Sequence, residues 1–122
     1  HGGSVLAEIE NTLATLANDL GADTVVEIIE LYVVDSQRHV LDIRKGLTNN
    51  DANIVRRAAH TLKSTAATIG AMALNETCIQ LEQLARENKL DQANSLYDQL
   101  ARQEVEARRA VNTLQPKFAT IS

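Results

Sequence analysis

The sequence predicts an all-α protein, an antiparallel up-down four-helix bundle with an additional short N-terminal helix. The 122 residues include one proline and five glycines, which leaves little room for β-turns. Aromatic residues are rare, whereas alanine, leucine and glutamine, which are strong helix formers, are common. Apolar residues recur at spacings of three and four along segments joined by short polar turns, which favours antiparallel helical neighbours.

Size and charge limit the classes of function. A chain of this length forms one domain that buries roughly two thirds of its unfolded surface. Residues 1–4 are interpreted as an expression-tag remnant of a piece cut from a longer protein, so the predicted domain spans 5–122. A net charge of -4 argues against a nucleic-acid partner. No apolar run is long enough to span a membrane, and the single cysteine fits a reducing compartment such as the cytoplasm.

The first two helices are predicted over 5–19 and 24–46. Gly21 is expected to end the first, and Asp23 or Thr24 to cap the second. The stretch 25–34 is rich in β-branched residues and resembles a strand on propensity alone, but it lacks alternation and is too long. The predicted core positions are Leu6, Ile9, Leu13 and Leu16, then Val25, Ile28, Ile29, Tyr32, Val33, Ser36, Val40 and Ile43.

Three further helices are predicted over 52–69, 72–88 and 92–114. Asp51 is a suitable N-cap for the first of these, Gly70 is the helix break that follows it, and Pro116 is expected to end the last. The predicted core positions in the last two helices are Leu74, Cys78, Leu81 and Leu84 or Ala85, then Ala93, Leu96, Leu100, Val105, Ala107 or Arg108, Val111 and Leu114.

The helix over 52–69 has two faces of different character. Its core stripe consists of Val55, Ala58, Leu62, Ala66 and Ile69. The opposite face carries Arg56, Arg57, His60, Lys63, Ser64 and Ala67. A single helical histidine is usually an ordinary surface residue, and a basic outer face is usually just solvated. The joint pattern of an outward imidazole, nearby cations and small neighbours instead indicates a site that receives an anionic group.

The string AHTLKS at 59–64, followed by Ile69 and Gly70, resembles the signature of the histidine-containing phosphotransfer (HPt) domain family. That signature is usually written H-x-L-K-G, with a second glycine six residues later. The resemblance covers about 24–114 and includes a Cys-x-x-x-Glu run from Cys78 to Glu82. Ser64 stands where the family usually has glycine, which is a mild departure.

The resemblance implies that His60 accepts a phosphoryl group from a receiver-domain aspartate and passes it to another receiver domain. The reactive atom would be the ring nitrogen far from the backbone. The receiver would supply Mg²⁺ and most of the catalysis, so no cofactor is expected on this chain. The family context also implies a cytoplasmic domain, monomeric in isolation. It favours a piece of a membrane-anchored hybrid sensor histidine kinase, and the sequence leaves a free-standing carrier open as the alternative.

Residue types suggest supporting roles around His60. Lys63, one turn away, is the candidate for stabilising phosphoryl oxygens, and Arg56 and Arg57 add electrostatic support. Small side chains at Ser64 and Ala67 provide steric access for an incoming domain. Glu82 is either a carboxylate that orients the His60 ring or a solvated helix residue, and the sequence leaves both alternatives open.

Other residues carry no comparable pattern. His39 is interpreted as a surface or edge residue and Cys78 as a small core residue. No metal site is predicted, since no pair of ligand residues has a usual spacing. The chain contains no glycine-rich phosphate loop, so any phosphotransfer role is that of an intermediate without its own ATP site, and whether to call it an enzyme stays open.

Two alternatives compete with the carrier hypothesis. One is a non-catalytic helical-bundle adaptor or dimerisation module in which His60 is incidental. The other is the domain of a chemotaxis-type kinase that is phosphorylated from ATP by a separate catalytic domain. For a carrier, the partner surface would combine the His60 face with exposed apolar residues, for which Ile9, Leu13 and Ile79 are candidates.

Overall fold

A computed structural model describes residues 2–120 of the chain, with side chains from residue 5. Within that range it forms six α-helices and no strand, which confirms the all-α prediction. The helices are α1 (Gly2–Leu20), α2 (Ala22–Thr48), α3 (Ala52–Ile69), α4 (Met72–Arg86), α5 (Leu90–Ser95) and α6 (Tyr97–Ala119). His1 lies outside the described residues, and the tag assignment stays a prediction.

The four long helices after α1 form the predicted bundle. Helix α2 packs against α3 and α6, and α4 packs against the same two helices, so α2 and α4 occupy opposite corners. Helix α1 packs against α2 and α6 and also contacts α3. None of the helices in the described range is both long enough and apolar enough to cross a membrane.

The core lies between these helices and follows most of the predicted stripes. Its largest fully buried side chains include Tyr32, Phe118, Leu62 and Leu81. Each such apolar side chain contributes about 1.5–3 kcal/mol relative to an exposed position. The prediction that Val105 is a core residue is wrong. Val105 is partly buried but is not among the apolar side chains that pack against the core, and its neighbour Glu104 is buried instead.

The start of α2 differs from the prediction. Neither Asp23 nor Thr24 is the N-cap, since the helix already begins at Ala22. Gly21 occupies the cap position with a φ of 94°, a conformation that favours glycine, and it reverses the chain without a polar linker. Asp23 therefore lies inside the first turn, where a carboxylate interacts favourably with the helix N-terminus.

The predicted helix over 92–114 is two helices. The chain breaks at Leu96 between α5 and α6. Pro116 does not end α6, which continues to Ala119. The continuation buries Phe118 almost completely, and that apolar burial offsets the cost of a proline one turn from the helix end.

The connection between α3 and α4 is fixed by Gly70 and by helix α1. Gly70 adopts a left-handed conformation with a φ of 84° and caps α3, which confirms the predicted break. A Cβ atom at Gly70 would overlap the side chain of Thr12 on α1. Glu8 of α1 also accepts a hydrogen bond from the backbone N–H of Met72, at 3.2 Å. Helix α1 thus holds the turn that sets α3 against α4.

Candidate functional site

The exposed histidine of α3 is displayed by a firmly anchored helix. Asp51 caps the start of α3 by accepting a hydrogen bond from the Ile54 backbone N–H at 3.3 Å, as predicted. The inner stripe of α3, including Leu62 and Ala66, is buried. The His60 side chain on the opposite face is 58% exposed. Solvent and a partner protein can therefore reach the imidazole.

Glu82 of α4 is the centre of the polar contacts at this site. Its side chain is only 5% exposed, although it lies next to an exposed histidine. His60 Nδ1 lies 2.9 Å from Glu82 Oε2, and Lys63 Nζ donates to Oε1 at 2.7 Å. Arg86, one turn further along α4, donates to Oε2 at 3.0 Å. Of the two alternatives left open by the sequence, the solvated glutamate is wrong.

The ionisation of Glu82 determines the tautomer of His60. Burial alone raises the pKa of the Glu82 carboxyl, but hydrogen bonds from Lys63 and His60 outweigh it and hold the pKa below its usual value. The carboxylate is therefore ionised near neutral pH and can only accept hydrogen bonds. It follows that, in the neutral ring, Nδ1 carries the proton and donates a hydrogen bond to Glu82, which leaves Nε2 with its lone pair available.

Helix α4 is also tied to the backbone of α3 beside the site. The side chain of Asn75, which is largely buried, donates from Nδ2 to the carbonyl oxygen of Lys63 at 2.9 Å. This bond is an additional one to a carbonyl in the middle of α3, and it helps to fix the register between the two helices. Glu82 and His60 are consequently held at hydrogen-bond distance by the scaffold as well as by their own contact.

The remaining predicted site residues lie where the helical pattern placed them. Ser64 and Ala67 are exposed on the His60 face, so no bulky side chain stands there. Arg57 is exposed and Arg56 half-buried, and neither forms an ion pair with another described residue. The steric and electrostatic roles assigned to these four residues stay predictions.

Two residues of the site were missed by the sequence interpretation. Arg86 follows Glu82 at a spacing of four on α4, which is the spacing of helical ion pairs and could have indicated it. Asn75 carries no such signal, because a buried asparagine can be recognised only once α3 is placed against α4.

Other sequence interpretations need correction. Ile9 and Leu13 are fully buried core residues and cannot form a docking surface, whereas Ile79 is 43% exposed. Of the two descriptions given for His39, surface or edge, the edge is the better one: its side chain is largely buried but lines an open groove between α2 and α3. Burial, followed by the charge of Arg38, lowers the pKa of its imidazole.

Cys78 is buried in the core as predicted, and burial raises the pKa of its thiol to about 12. Such a thiol is not a nucleophile near neutral pH. Within residues 2–120, no group of three or more histidine, cysteine, aspartate or glutamate side chains is placed to hold a metal ion.

A helical bundle with an exposed histidine, a carboxylate on one ring nitrogen and a lysine one turn away has the kind of site that can receive an anionic group. The comparisons agree with this class. The family model described as "Hpt domain" matches residues 27–111 of the chain. The chain therefore belongs to the Hpt domain family.

Individual relatives are distant in sequence. Histidine-containing phosphotransfer protein 1 of Oryza sativa subsp. japonica is 28% identical over 81 residues, which is 65% of this chain and 55% of the rice protein. Phosphorelay protein LuxU of Vibrio vulnificus is 23% identical over 94 residues, 76% of this chain and 82% of LuxU. The chain thus spans little more than half the length of the rice relative.

One solved structure resembles the whole bundle. The crystal structure of histidine-containing phosphotransfer protein B (HptB) from Pseudomonas aeruginosa PAO1 has a TM-score of 0.82 at 26% sequence identity. The similarity covers 88% of this chain and 92% of HptB.

Proposed function

We propose that the chain is a phosphorelay carrier that accepts a phosphoryl group on His60 from the aspartate of one receiver domain and passes it to another. The observation that carries this proposal is the exposed His60 ring held through Nδ1 by the buried Glu82. Membership of the Hpt family and the similarity to phosphorelay protein LuxU support it.

In the proposed step, the lone pair of His60 Nε2 attacks the phosphorus of the receiver's aspartyl phosphate. The N–P bond forms as the P–O bond to the aspartate breaks, and the aspartate leaves as a carboxylate. The ring proton stays on Nδ1, so the imidazole becomes positively charged while it carries the phosphoryl dianion. No external proton donor is needed, and the step is reversible by the same path.

Glu82 stabilises the positive charge that develops on the ring. Its carboxylate accepts the Nδ1 proton in a hydrogen bond of 2.9 Å from a buried position, where electrostatic interactions are stronger than in water. The same bond keeps the ring in one tautomer and orientation, so that Nε2 faces the solvent-exposed side. Glu82 is therefore a positioning residue, since it acts through His60.

Lys63 is the cation nearest to the phosphoryl group in this scheme. In the unphosphorylated chain its ammonium group is paired with Glu82 Oε1 at 2.7 Å. A phosphoryl dianion on His60 would compete with Glu82 for Lys63, and the flexible lysine stem allows the ammonium to move between them. Arg86 remains to neutralise Glu82 when Lys63 turns towards the phosphate.

The partner would be a response-regulator receiver domain, which supplies the Mg²⁺ that phosphoryl transfer requires. The receiver approaches the exposed face of α3, where Ser64 and Ala67 leave room above the ring. We also assign the chain to the cytoplasm, in keeping with the free, buried thiol of Cys78.

The test is incubation with a radiolabelled phospho-receiver and Mg²⁺, using the native chain, His60→Gln and the matched control His39→Gln. The native chain and His39→Gln should acquire a label that survives base and is lost in acid, as expected for phosphohistidine. His60→Gln should acquire none while retaining its helicity and melting temperature, because the site is exposed. Label on a folded His60→Gln chain would remove His60 from the mechanism.

A further inference from the structure

Helix α2 has an apolar stripe that no part of the described chain covers. Leu31, Val34 and Leu41 are 63%, 66% and 57% exposed, on the side of α2 that faces away from the core. Exposed charged residues lie on the same side of α2, and we call the whole set the α2 stripe. It consists of Glu27, Leu31, Val34, Arg38, Leu41 and Lys45, all exposed.

The spacing within the α2 stripe is four, three, four, three and four residues. This alternation is the seam spacing of helices that pack side by side as a coiled coil. The three apolar members, Leu31, Val34 and Leu41, are spaced by three and seven residues and so lie on one side of the helix. The stripe extends for about 27 Å along the helix at 1.5 Å per residue.

The stripe is complementary to itself when a second copy is turned antiparallel. Its centre lies at position 36, midway between Val34 and Arg38. A two-fold axis there would place Leu31 against the second copy's Leu41, and Glu27 against the second copy's Lys45, each contact occurring twice. It would also place Val34 against the second copy's Arg38, whose aliphatic stem can cover an apolar side chain. A parallel pairing would instead bring Glu27 against Glu27 and Lys45 against Lys45.

Charges flanking the stripe fit the same arrangement. Glu30 and Arg44 lie on one edge of the stripe, at similar distances from its centre, so antiparallel copies would pair Glu30 with the second copy's Arg44. Glu27, Glu30, Arg44 and Lys45 make no ion pair with any residue in the described range, so these charges are available.

The centre of the stripe has a further charge pair. Within one chain, Arg38 Nη2 lies 3.4 Å from Asp35 Oδ1. Both lie close to the proposed two-fold axis, so each Arg38 would also come near the second copy's Asp35. The antiparallel arrangement thus adds opposite charges at the centre as well as at both ends.

We propose that the α2 stripe is an interface between two copies of this chain. The copies pack antiparallel about a two-fold axis that crosses the stripe midway between Val34 and Arg38. The interface leaves His60 open, because the His60–Glu82 pair lies between α3 and α4, and α4 is at the corner opposite α2. One pair of helices buries less than the roughly 1,600 Å² of a standard stable interface. The dimer is therefore weak, and the chain is monomeric when dilute, in line with the expectation from sequence.

The test measures the weight-average mass by sedimentation equilibrium from about 10 μM to about 1 mM, a range suited to weak complexes. The native mass should rise with concentration from 13.3 kDa towards twice that value. Glu27→Lys and Lys45→Glu, each alone, should remain monomeric throughout, because each places like charges in contact twice. An equimolar mixture of the two variants should associate again, since both contacts between positions 27 and 45 are then between opposite charges.

Arg102→Glu is the matched control, because Arg102 is an exposed residue of α6 outside the stripe. It should associate like the native chain, and circular dichroism should show all variants folded. The proposal is overturned if the native chain stays at the monomer mass at 1 mM, or if the mixed variants do not associate. It is also overturned if Glu27→Lys and Lys45→Glu leave self-association unchanged but weaken phosphate transfer from a receiver. That result would show that the α2 stripe contacts the receiver domain and not a second copy of the chain.

Discussion

Two buried glutamates show how the same residue type has different consequences in this bundle. The side chains of Glu82 and Glu104 are 5% and 4% exposed. Glu104 accepts hydrogen bonds from Ser36 at 2.9 Å and from Arg108 at 2.8 Å, and so links α2 to α6. Glu82 accepts from His60, Lys63 and Arg86 and links α3 to α4.

Both carboxylates satisfy the same physical requirement, because a buried charge must be paired and hydrogen-bonded. They differ in what the partner can do next. Ser36 is fully buried, and Arg108 stays protonated at any physiological pH, so the Glu104 cluster only joins two helices. His60 is exposed and keeps a second ring nitrogen with a lone pair, so the Glu82 cluster can react with a partner.

The largest expected effect is on stability at Glu104. Glu104→Ala leaves Ser36 and Arg108 without their buried acceptor and opens a cavity. Since Arg108 is 28% exposed and partly recovers hydration, the loss in unfolding free energy should be about 2–4 kcal/mol. Urea denaturation followed by circular dichroism measures it. If the unfolding free energy fell by less than for an ordinary surface substitution, the structural role of the Glu104 cluster would be contradicted.

The two glutamates are then compared by the same isosteric substitution. Glu82→Gln keeps the shape but removes the charge that stabilises the His60 imidazolium, and should slow phosphoryl transfer by about 10- to 100-fold, the range known for carboxylates that orient metal-binding histidines. Glu104→Gln should leave the transfer rate of the folded protein within a factor of two, since it does not contact the site. Quench-flow transfer from a phospho-receiver measures both. Equal slowing by the two variants would remove the distinction between the clusters.

The smallest effect is a pH dependence of stability. Because Glu82 has a lowered pKa in the folded chain, its stabilising contribution is complete above its unfolded pKa of 4.5. That contribution is lost as the pH falls through the folded pKa, when the carboxylate accepts a proton. To keep the charge of the imidazole out of the comparison, the measurement is made in the His60→Gln background, where Lys63 still lowers the pKa of Glu82. The stability difference between His60→Gln and His60→Gln/Glu82→Gln, from urea denaturation, should thus be constant from pH 7 to 5 and shrink below. A stability difference that increased as the pH fell would contradict the lowered pKa of Glu82.

Most of the fold was predictable because the helical spacing of apolar residues can be recognised within a short segment of the sequence. The α3 bounds of 52–69, its Asp51 cap and its end at Gly70 were all predicted and are all confirmed. The errors came from tertiary contacts that override local signals. Burial of Phe118 carries α6 past Pro116, and the sequence pattern could not show that Glu104 replaces Val105 in the core.

The site was predictable to the extent that it lies on one helix. The outward direction of His60 and Lys63 followed from the apolar stripe of α3. The partners on α4 depend on how the two helices are rotated against each other, which no local pattern specifies. Glu82 could therefore be named only as one of two alternatives, and Asn75 and Arg86 were missed.

The proposed mechanism requires that Glu82 holds Nδ1 of His60 so that Nε2 receives the phosphoryl group. The decisive experiment is ¹H–¹⁵N and ³¹P NMR of the chain labelled with ¹⁵N in its histidines, before and after phosphorylation by a receiver. We expect that Nδ1 of His60 carries the ring proton beforehand and that phosphorus is bonded to Nε2 afterwards. Phosphorus on Nδ1, or a ring proton on Nε2 in the unphosphorylated chain, would contradict it.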